Sequence, residues 1–415
     1  MKIIGGIKYW GQLLLLPIYW LSFLVPRDRK LWLFGSTFGR RFADNPKYLF
    51  LYISQHREEL GIRPVWITHN REIVKLLQEN GYESYYYHSI KGIWFALRGK
   101  VYLFDNYSKD INFWQSGGAV KVNLWHGVGN KRINYDNIFD MVRHPKNNWD
   151  KLKYFPRRLS DEKPSHYILA TSPLMCKIFA RAFQVSEEHV IEAGYPRNEY
   201  IVEGDIQNIL SREESAACRY IYQWRQEGKK AVLYMPTFRE SEIKFWKVVA
   251  MDDFNQFLYA NNILFITKLH PKSKLRREFG QDSFSNILNL DADMDPYVFL
   301  GQVDALVTDY SSVYSDFMLL DRPAVAFWYD YEEYMANSRD SYFDFKEYMP
   351  EVSARNLEEL EQALGSVLSE DACRIPRSRS REKIFSSAGK DACIVIIEKI
   401  NSILMDNRLE AVKNC

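Results

Sequence analysis

Short apolar runs alternate with helical patterns along nearly the whole sequence, and this alternation constrains the fold more than any other feature. In the first half, the apolar runs are residues 31–36, 64–69, 100–105, 120–126, 166–172 and 189–196. Their length and composition are typical of buried strands, and helical stretches such as 46–60 lie between them. Strands that alternate with helices predict parallel α/β layers.

A second alternating series follows a polar, helical stretch at about residues 197–230. Its apolar runs are residues 231–237, 263–271, 305–312 and 323–330. A chain of 415 residues is too long for one ordinary hydrophobic core. We therefore expect two Rossmann-like domains that face each other across a cleft, residues 31–205 and 206–385, followed by a C-terminal helix at 386–415.

Composition narrows the class of protein. Hydrophobic residues make up 47% of the chain and charged residues 26%, which is typical of a globular protein. The formal net charge of +2 gives no reason to expect nucleic-acid binding. The five cysteines are scattered without a CxxC pair, which fits a reducing compartment.

The most apolar stretch is residues 9–25, with basic residues on both sides, including Lys2, Lys8 and Arg27. It is shorter than the roughly 20 residues of a spanning helix, and Gln12 and Pro17 interrupt it. No small-x-small cleavage site follows it, as a signal peptide would require. We expect residues 1–30 to be an interfacial, membrane-associating helix, with a buried core helix as the alternative.

Two predicted strands end in a histidine. His126 is followed by Gly127, Gly129 and Lys131, so an imidazole lies beside backbone amides that could approach an anion. His270 follows Lys268 and precedes Pro271 and Lys272. The structural alternatives are a histidine that caps a turn and a turn with solvated lysines.

Other strand ends carry further polar groups. Arg239 follows the strand 231–237 and suits a bidentate phosphate contact, unless it pairs with Glu240 or Glu242 at the surface. The strand 305–309 ends in the sequence Thr308, Asp309, Tyr310, Ser311 and Ser312 and leads into a predicted helix. At the start of that helix, Ser311 and Ser312 could bind phosphate or act as ordinary N-caps.

Together these groups describe a site for a diphosphate at the carboxyl ends of the strands. No acidic pair at metal-ligand spacing lies beside them, so we predict no obligatory cofactor, and nothing indicates Mg²⁺. Asp291, Asp293 and Asp295 resemble the start of a calcium loop, but the required glycine and distal glutamate are missing.

Seven ordered motifs make the sequence similar to the CDP-glycerol glycerophosphotransferase family, the primases and polymerases of teichoic acid and related capsule polymers. The similarity covers about residues 31–400, and its motifs are FGSTFGRRFADNPKYL (34–49), LWHGVGNK (124–131), AGYPRNE (193–199), YMPTFR (234–239), KLHP (268–271), VTDYSSVYSDF (307–317) and DRPAVAFWYDYEEY (321–334). The resemblance implies a GT-B-like fold and a bacterial enzyme bound peripherally to the cytoplasmic face of the cell membrane.

The resemblance also implies roles for individual residues. His126 matches the proposed general base that activates the acceptor hydroxyl. The residues that match the donor-holding set are His270, Arg239, Ser311 and Ser312, with Lys268, Thr308 and Asp309 beside them. A cleft loop is implied for Gly127, Lys131, Gly194, Pro196, Arg197 and Asn198.

The sequence departs from the family pattern at three places. Val128-Gly129 follows His126-Gly127 where many members have Thr-Pro, Glu351 follows Pro350 where Gly is common, and Ala388-Gly389-Lys390 replaces an Asp-Gly. These changes put the identity of the donor in doubt, so CDP-ribitol remains an alternative to CDP-glycerol.

The resulting hypothesis is transfer of glycerol phosphate from CDP-glycerol to a polyprenyl-linked or polymer acceptor at an anionic membrane surface, with release of CMP. The alternatives are a ribitolphosphotransferase, a GT-B sugar-nucleotide glycosyltransferase and a non-enzymatic scaffold. Primase or polymerase activity, wall teichoic acid or capsule, and oligomeric state stay open at this point.

Overall fold

The computed structural model describes residues 9–239, 242–280, 284–337, 340–386 and 389–413. Several residues used above lie outside the described part, namely Lys2, Lys8, Glu240, Ala388 and Cys415. The chain forms two compact units. The first comprises Met1–His126, Ile133–Ile209 and Phe385–Cys415, and the second comprises Gly127–Arg132 and Leu210–Ile384.

The first unit is built on a seven-stranded parallel sheet with the order β3-β2-β1-β4-β5-β6-β7. Its strands are β1 (Asp28–Phe34), β2 (Arg63–Thr68), β3 (Ser84–Tyr86), β4 (Gly99–Phe104), β5 (Val120–Asn123), β6 (Tyr167–Ala170) and β7 (Val190–Glu192).

Helices connect these strands. They are α1 (Leu16–Leu21), α2 (Asp44–Gln55), α3 (Arg57–Leu60), α4 (Arg71–Glu79), α5 (Ile90–Arg98), α6 (Asn148–Asp161), α7 (Pro173–Phe183), α8 (Pro196–Glu203) and, from the end of the chain, α19 (Ala392–Lys413). Short 3-10 turns occur at Gln12–Leu15, Ser22–Leu24, Thr37–Gly39, Ser108–Asp110, Phe113–Gln115, Asn134–Asp136 and Glu187–His189.

The second unit has a six-stranded parallel sheet with the order β10-β9-β8-β11-β12-β13. Its strands are β8 (Lys230–Tyr234), β9 (Ile263–Thr267), β10 (Ile287–Asn289), β11 (Ala305–Thr308), β12 (Ala324–Phe327) and β13 (Val352–Ala354). Its helices are α9 (Arg212–Gln226), α10 (Ile243–Val248), α11 (Met251–Ala260), α12 (Leu275–Phe279), α13 (Tyr297–Leu300), α14 (Val313–Met318), α15 (Tyr331–Asn337), α16 (Phe345–Tyr348), α17 (Leu357–Ser369) and α18 (Arg374–Ile384).

Both sheets follow the Rossmann pattern, in which the strand order reverses next to the first strand. The reversal lies between β1 and β4 in the first unit and between β8 and β11 in the second. The central strands are buried on both faces because helices cover both sides; every residue of β9 and β11 is buried. This burial explains why the sequence shows them as continuous apolar runs.

The prediction of two α/β halves with parallel sheets is confirmed, and the predicted strands correspond to β1, β2, β4, β5, β6, β7, β8, β9, β11 and β12. Strands β3, β10 and β13 were not predicted. Each of these has only three residues and lies at the edge of its sheet. Three residues offer few apolar positions for a recognisable run. β7 is equally short and also at an edge, but it was predicted as part of the longer stretch 189–196.

The division of the chain differs from the expected domains at three places. Residues 206–209 and 385–415 belong to the first unit. Residues 127–132, which the sequence analysis assigned to the first domain, belong to the second unit. The Asn130 side chain donates to the Phe343 carbonyl and accepts from the Phe343 amide, at 2.8 and 2.7 Å. The Arg132 amide donates to the Asp340 carbonyl. These bonds make the segment part of the second unit.

The described part of the N-terminal segment is mostly exposed. Of residues 9–25, Ser22 alone is buried among those described, whereas Leu14, Trp20 and Leu24 are 82%, 66% and 78% exposed. This exposure argues against the buried-core-helix alternative. Among the described residues, no helix has the length and apolarity needed to cross a bilayer.

Glu351, one of the departures from the family pattern, has a structural role in the second unit. Its carboxylate accepts from the Arg377 guanidinium and from the Tyr314 hydroxyl, which lies 3.0 Å away. Arg377 also pairs with Asp371, and its side chain is 1% exposed. Burial raises the pKa of Glu351, and Arg377 opposes that shift. The ion pair therefore joins α18 to the loop before β13.

The buried Arg377 pairs predict a large stability difference between two arginines of one helix. Arg377→Ala removes the charged partner of the buried Glu351 carboxylate and should lower the free energy of unfolding by about 3–5 kcal/mol. Arg374→Ala, whose side chain is 70% exposed, should cost less than about 1 kcal/mol. Urea unfolding followed by circular dichroism measures both, and equal losses would contradict the role of Arg377.

Candidate functional site

In the first unit, two buried carboxylates hold the loops at the point where the strand order reverses. Asp105, directly after β4, accepts the backbone N–H of Thr37 at 2.8 Å. Asp110 accepts the amides of Phe38, Asn106 and Tyr107 at 3.1, 3.0 and 3.2 Å. The loops after β1 and β4 are thereby fixed at the sheet edge where α/β proteins bind ligands.

His126 lies at the end of this same edge and is half-buried. Its Nδ1 is 3.0 Å from the backbone carbonyl of Asp105. A carbonyl oxygen can only accept, so Nδ1 carries the proton and the neutral ring has its lone pair on Nε2. Nε2 can therefore take a proton, which is what a general base must do.

The turn that carries His126 has an unusual backbone. Trp125 has φ +54° and Gly127 has φ +141°, a value that glycine adopts far more readily than other residues. The Asn45 side-chain amide donates to the Leu124 and Trp125 carbonyls at 3.0 and 2.9 Å. The Trp125 ring lies 4.0 Å from the imidazole, centroid to centroid. These contacts fix the orientation of His126.

The predicted loop 194–198 reaches the same turn through Asn45. The Arg197 amide donates to the Asn45 side-chain oxygen at 3.4 Å, and the Arg197 guanidinium pairs with Asp44 at 2.7 Å. Pro196 opens α8, and Gly194 precedes it. Asn198 is completely buried next to Gly389, and neither side-chain polar atom has a partner among the described residues. Within the first unit, the loop therefore supports the His126 turn.

Two acidic groups beside His126 have altered acidity. Burial, followed by the nearby Asp110 carboxylate, raises the pKa of Asp105 well above its ordinary value. Burial also raises the pKa of Asp110 to about 6, against the opposing effect of the amides that it accepts. The loop that positions His126 therefore changes its charge in the mildly acidic range.

The second unit repeats the arrangement at its own reversal point. Asp309, directly after β11, accepts the backbone N–H of Thr237 at 2.8 Å, the same distance as in the first unit. Its other oxygen accepts from Arg239, which also makes a bidentate pair with Asp330 at 2.8 and 3.0 Å. A chain of two carboxylates and one guanidinium thus joins the loops after β8, β11 and β12.

In this structure the Arg239 guanidinium is paired with two carboxylates, whereas we predicted that it contacts a phosphate. Burial alone would lower its pKa, but Asp309 and Asp330 raise it, so the guanidinium stays charged. It lies 5.4 to 5.6 Å from the ring centroids of Tyr310, Tyr329 and Tyr334. Glu242, the surface partner weighed above, instead accepts from Ser273 and the amides of Lys274 and Leu275.

His270 has the opposite proton arrangement from His126. Its Nδ1 accepts the backbone N–H of Lys272 at 3.2 Å, so the proton of the neutral ring is on Nε2. The imidazole is exposed and lies beside the Phe238 ring, with centroids 4.6 Å apart. Lys268 is buried, and its ammonium donates to the Ala292 carbonyl at 2.7 Å. His270 is thus arranged as a donor at this strand end.

The Ser-Ser pair lies where the sequence placed it, before α14. Neither hydroxyl of Ser311 or Ser312 has a hydrogen-bond partner among the described residues, and Ser312 makes no side-chain cap bond. The N-cap alternative is therefore wrong for the Ser312 side chain. Thr308, by contrast, is buried and donates to the Met235 carbonyl at 2.8 Å.

Residues 127–132 lie next to these serines within the second unit. The Val128 carbonyl accepts from the hydroxyls of Ser315 and Tyr348 at 2.7 and 2.9 Å. The Lys131 ammonium lies 4.7 Å from the Tyr334 ring centroid. The segment therefore brings Gly127 and Lys131 into the same unit as Ser311, Ser312 and His270.

No cluster of three or more histidine, cysteine or acidic residues in the described part of the chain could hold a metal ion. The expectation that no cofactor is required stays a prediction. The polar groups at the two reversal points suit hydrogen bonding and charge stabilisation.

Comparison with known proteins decides the family. The family model described as CDP-Glycerol:Poly(glycerophosphate) glycerophosphotransferase matches residues 18–391. The chain belongs to this family. The predicted resemblance is thereby confirmed over most of the sequence.

Relatives and solved structures agree with this family assignment. The teichoic acid poly(glycerol phosphate) polymerase of Bacillus spizizenii is 27% identical over 371 residues, 85% of this chain and 88% of that protein. The teichoic acid ribitol-phosphate primase of the same organism is 28% identical over 262 residues, 62% of this chain and 63% of that protein. The structure of the wall teichoic acid polymerase TagF is 19% identical, with a TM-score of 0.71 over 98% of both chains, and has the same fold.

Several residues of this glycerophosphotransferase site were missed by the sequence analysis. Asp105 and Asp330 close two predicted strands, and Asn45 lies inside a quoted motif, but none was assigned a role. The signal for the two aspartates was their position at the end of an apolar run. Asp110 and Thr237 contribute through a fold contact that no local pattern encodes.

The raised pKa of Asp110 predicts a pH-dependent stability. A folded-state pKa of about 6, above the roughly 3.9 of an unfolded aspartate, gives stability that is fully present below about pH 4 and is lost as the pH rises through 6. The loss from this group should reach up to about 3 kcal/mol. In the Asp110→Asn variant, the free energy of unfolding should fall less between pH 4 and 7 than it does in the wild-type protein.

The control for this measurement is Asp291→Asn, at an exposed carboxylate of the second unit. Its unfolding free energy should follow the wild-type pH profile. Denaturant titrations at a series of pH values measure both variants. A wild-type slope in Asp110→Asn would contradict a buried, titrating Asp110.

Proposed function

We propose that this glycerophosphotransferase moves glycerol phosphate from CDP-glycerol to a polyprenyl-linked or polymer acceptor, releases CMP, and so builds a teichoic-acid-like or capsular polymer. The observation that carries the proposal is the family match over residues 18–391. The proton arrangement of His126 supports it at the level of chemistry.

In the proposed reaction, His126 activates the acceptor. Its Nε2 removes the proton of an acceptor hydroxyl, and the oxygen attacks the β-phosphorus of the donor. The bond between the β-phosphorus and the bridging oxygen breaks, and that oxygen leaves with CMP. The Asp105 carbonyl holds Nδ1–H throughout, so the ring accepts the proton at one defined nitrogen.

The second unit supplies donors for the phosphoryl oxygens. We assign this role to His270 Nε2–H and to the hydroxyls of Ser311 and Ser312. Phosphoryl transfer needs positioning and charge stabilisation more than covalent chemistry from the protein. Arg239 acts indirectly in this proposal, because its pairs with Asp309 and Asp330 fix the loops that carry the donors.

A second candidate donor is CDP-ribitol. The similarity to a ribitol-phosphate primase supports it, and the departure from the family pattern at Val128 leaves the donor undecided by sequence. The description of the matched family favours CDP-glycerol. Both candidates release CMP by the same attack.

Purified protein should release CMP from CDP-glycerol only when a lipid-linked or glycerol-phosphate acceptor is present. Parallel reactions with CDP-ribitol identify the polyol. Acceptor-dependent CMP from CDP-ribitol alone would replace the glycerol proposal, and no CMP from either donor with folded protein would contradict both.

Two histidine variants test the role of His126 as the base in the same assay. His126→Ala should lower kcat by about 10²–10⁴-fold, because a positioned base contributes about that much. His56→Ala serves as the matched control, since His56 is another half-buried histidine of the first unit whose Nδ1 contacts a backbone carbonyl, that of Tyr52. Equal rates in the two variants would remove His126 as the base.

We further propose that the protein is bound peripherally to the cytoplasmic face of the cell membrane through residues 1–30. In the described part, Leu14, Trp20 and Leu24 are exposed, as is Leu21 at 61%. Arg27 fastens the segment to the first unit by donating to the carbonyls of Ala96, Gly99, Gln115 and Gly117. An exposed apolar segment whose C-terminal end is attached to the first unit suits an interfacial helix near a lipid-linked acceptor.

Charged substitutions in this segment should release the protein from vesicles. Leu21→Asp and Leu24→Asp should each weaken binding to phosphatidylglycerol vesicles about tenfold, since burying a leucine contributes about 1.5–3 kcal/mol. Tyr222→Asp, at a 62% exposed site of α9, is the control. Sedimentation with vesicles measures binding, and unchanged binding of both leucine variants would contradict this membrane contact.

A further inference from the structure

The turn after β1 combines backbone strain with an exposed aromatic ring. Thr37, Phe38 and Gly39 have φ values of 49°, 57° and 73°, so three successive residues are left-handed and two of them are not glycine. Such conformations cost free energy in residues with a Cβ atom. The surrounding structure must therefore hold this turn in place.

Several contacts hold it. The amides of Thr37 and Phe38 donate to the buried carboxylates of Asp105 and Asp110. The Gly39 carbonyl accepts from the His69 amide and the Thr68 hydroxyl, both at 2.7 Å. The turn is thus fixed from both sides of the reversal point.

Hydrophobic packing does not account for the position of the Phe38 side chain. The residue is 42% exposed, so burial contributes little to holding its ring in this position. Its ring lies 5.9 Å from that of Tyr107, centroid to centroid. The Lys109 ammonium lies 5.6 Å from the Phe38 ring and 4.5 Å from the Tyr107 ring. The strained turn therefore keeps the Phe38 ring exposed beside the half-buried Tyr107 ring.

These two rings adjoin the group that orients the proposed base. Asp105 accepts the Thr37 amide with its side chain and the His126 Nδ1–H with its backbone carbonyl. Phe38 directly follows Thr37, and Tyr107 is two residues after Asp105. A molecule resting on the two rings is thus held by the same loops that position the imidazole.

We propose that Phe38 and Tyr107 form an acceptor subsite that binds a sugar ring of the lipid-linked acceptor. A pyranose presents an apolar C–H face that can stack on an aromatic ring while its hydroxyls stay hydrated. Lys109 is paired with Asp161 at 2.6 Å and keeps the two rings together. The inference rests on the proposed function, because it assumes that the acceptor reacts at His126.

The test separates acceptor binding from donor binding. With CDP-glycerol and a soluble analogue of a lipid-linked disaccharide, Phe38→Ala should raise the acceptor KM about tenfold and leave the donor KM unchanged. The separate variant Phe38→Tyr should keep the acceptor KM near the wild-type value. Phe38→Leu should raise the acceptor KM as Phe38→Ala does, because leucine has no aromatic face. Tyr220→Ala, at a 41% exposed ring of the second unit, is the exposure-matched control.

A second acceptor identifies what the rings bind. With a glycerol-phosphate oligomer that lacks sugar, Phe38→Ala should behave as the wild type. An unchanged disaccharide KM in Phe38→Ala, or an equal rise for both acceptors, would overturn the sugar subsite. If Phe38→Ala does not fold, as judged by thermal unfolding, the comparison of Phe38→Leu with Phe38→Tyr decides in the same way.

The wild-type reaction distinguishes the two proposals. Failure of the wild type to release CMP with any acceptor would count against the proposed function itself. Acceptor-dependent CMP from the wild type, with a wild-type disaccharide KM in Phe38→Ala and Phe38→Leu, would count against the subsite alone.

Discussion

The site chemistry of each unit depends on one hydrogen bond between a backbone amide and a buried carboxylate. Asp105 accepts the amide of Thr37, and Asp309 accepts the amide of Thr237, both at 2.8 Å. In each sheet this bond joins the loops after the two strands where the order reverses, a point at which neighbouring loops diverge and leave room for ligand. The carboxylates therefore order backbone that parallel strands alone leave unpaired.

The same carboxylates connect to the chemistry by different routes. In the first unit, the backbone of Asp105 selects the proton position on His126. In the second, the side chain of Asp309 binds Arg239, which fixes the loop ending at Asp330. The two histidines accordingly differ: the geometry leaves a lone pair on Nε2 of His126 and a proton on Nε2 of His270. That difference matches a base on the acceptor side and a donor on the phosphate side.

The sequence predicts the central strands and the positions of both histidines because each depends on local pattern. A strand buried on both faces is a continuous apolar run, and a polar residue at its end lies at the ligand-binding edge. The short edge strands β3, β10 and β13 leave no such run. The partner of a buried charge is also invisible locally: Arg239 has the composition of a phosphate ligand, but its carboxylate partners lie 70 and 91 residues away. The place of residues 127–132 in the second unit depends on contacts with residues still farther away in sequence, such as Phe343, 213 residues from Asn130.

The C-terminal helix belongs to the first unit, and this has a consequence for protein synthesis. Helix α19 packs there through Ile396 and Ile400, and the Cys393 amide donates to the buried Glu199 carboxylate of α8 at 2.7 Å. The ribosome makes α19 only after the whole second unit. Apart from residues 127–132, the second unit is one continuous segment that can fold as it emerges. The first unit, which carries the proposed base, is therefore begun first and completed last, after the unit that carries the proposed phosphate donors.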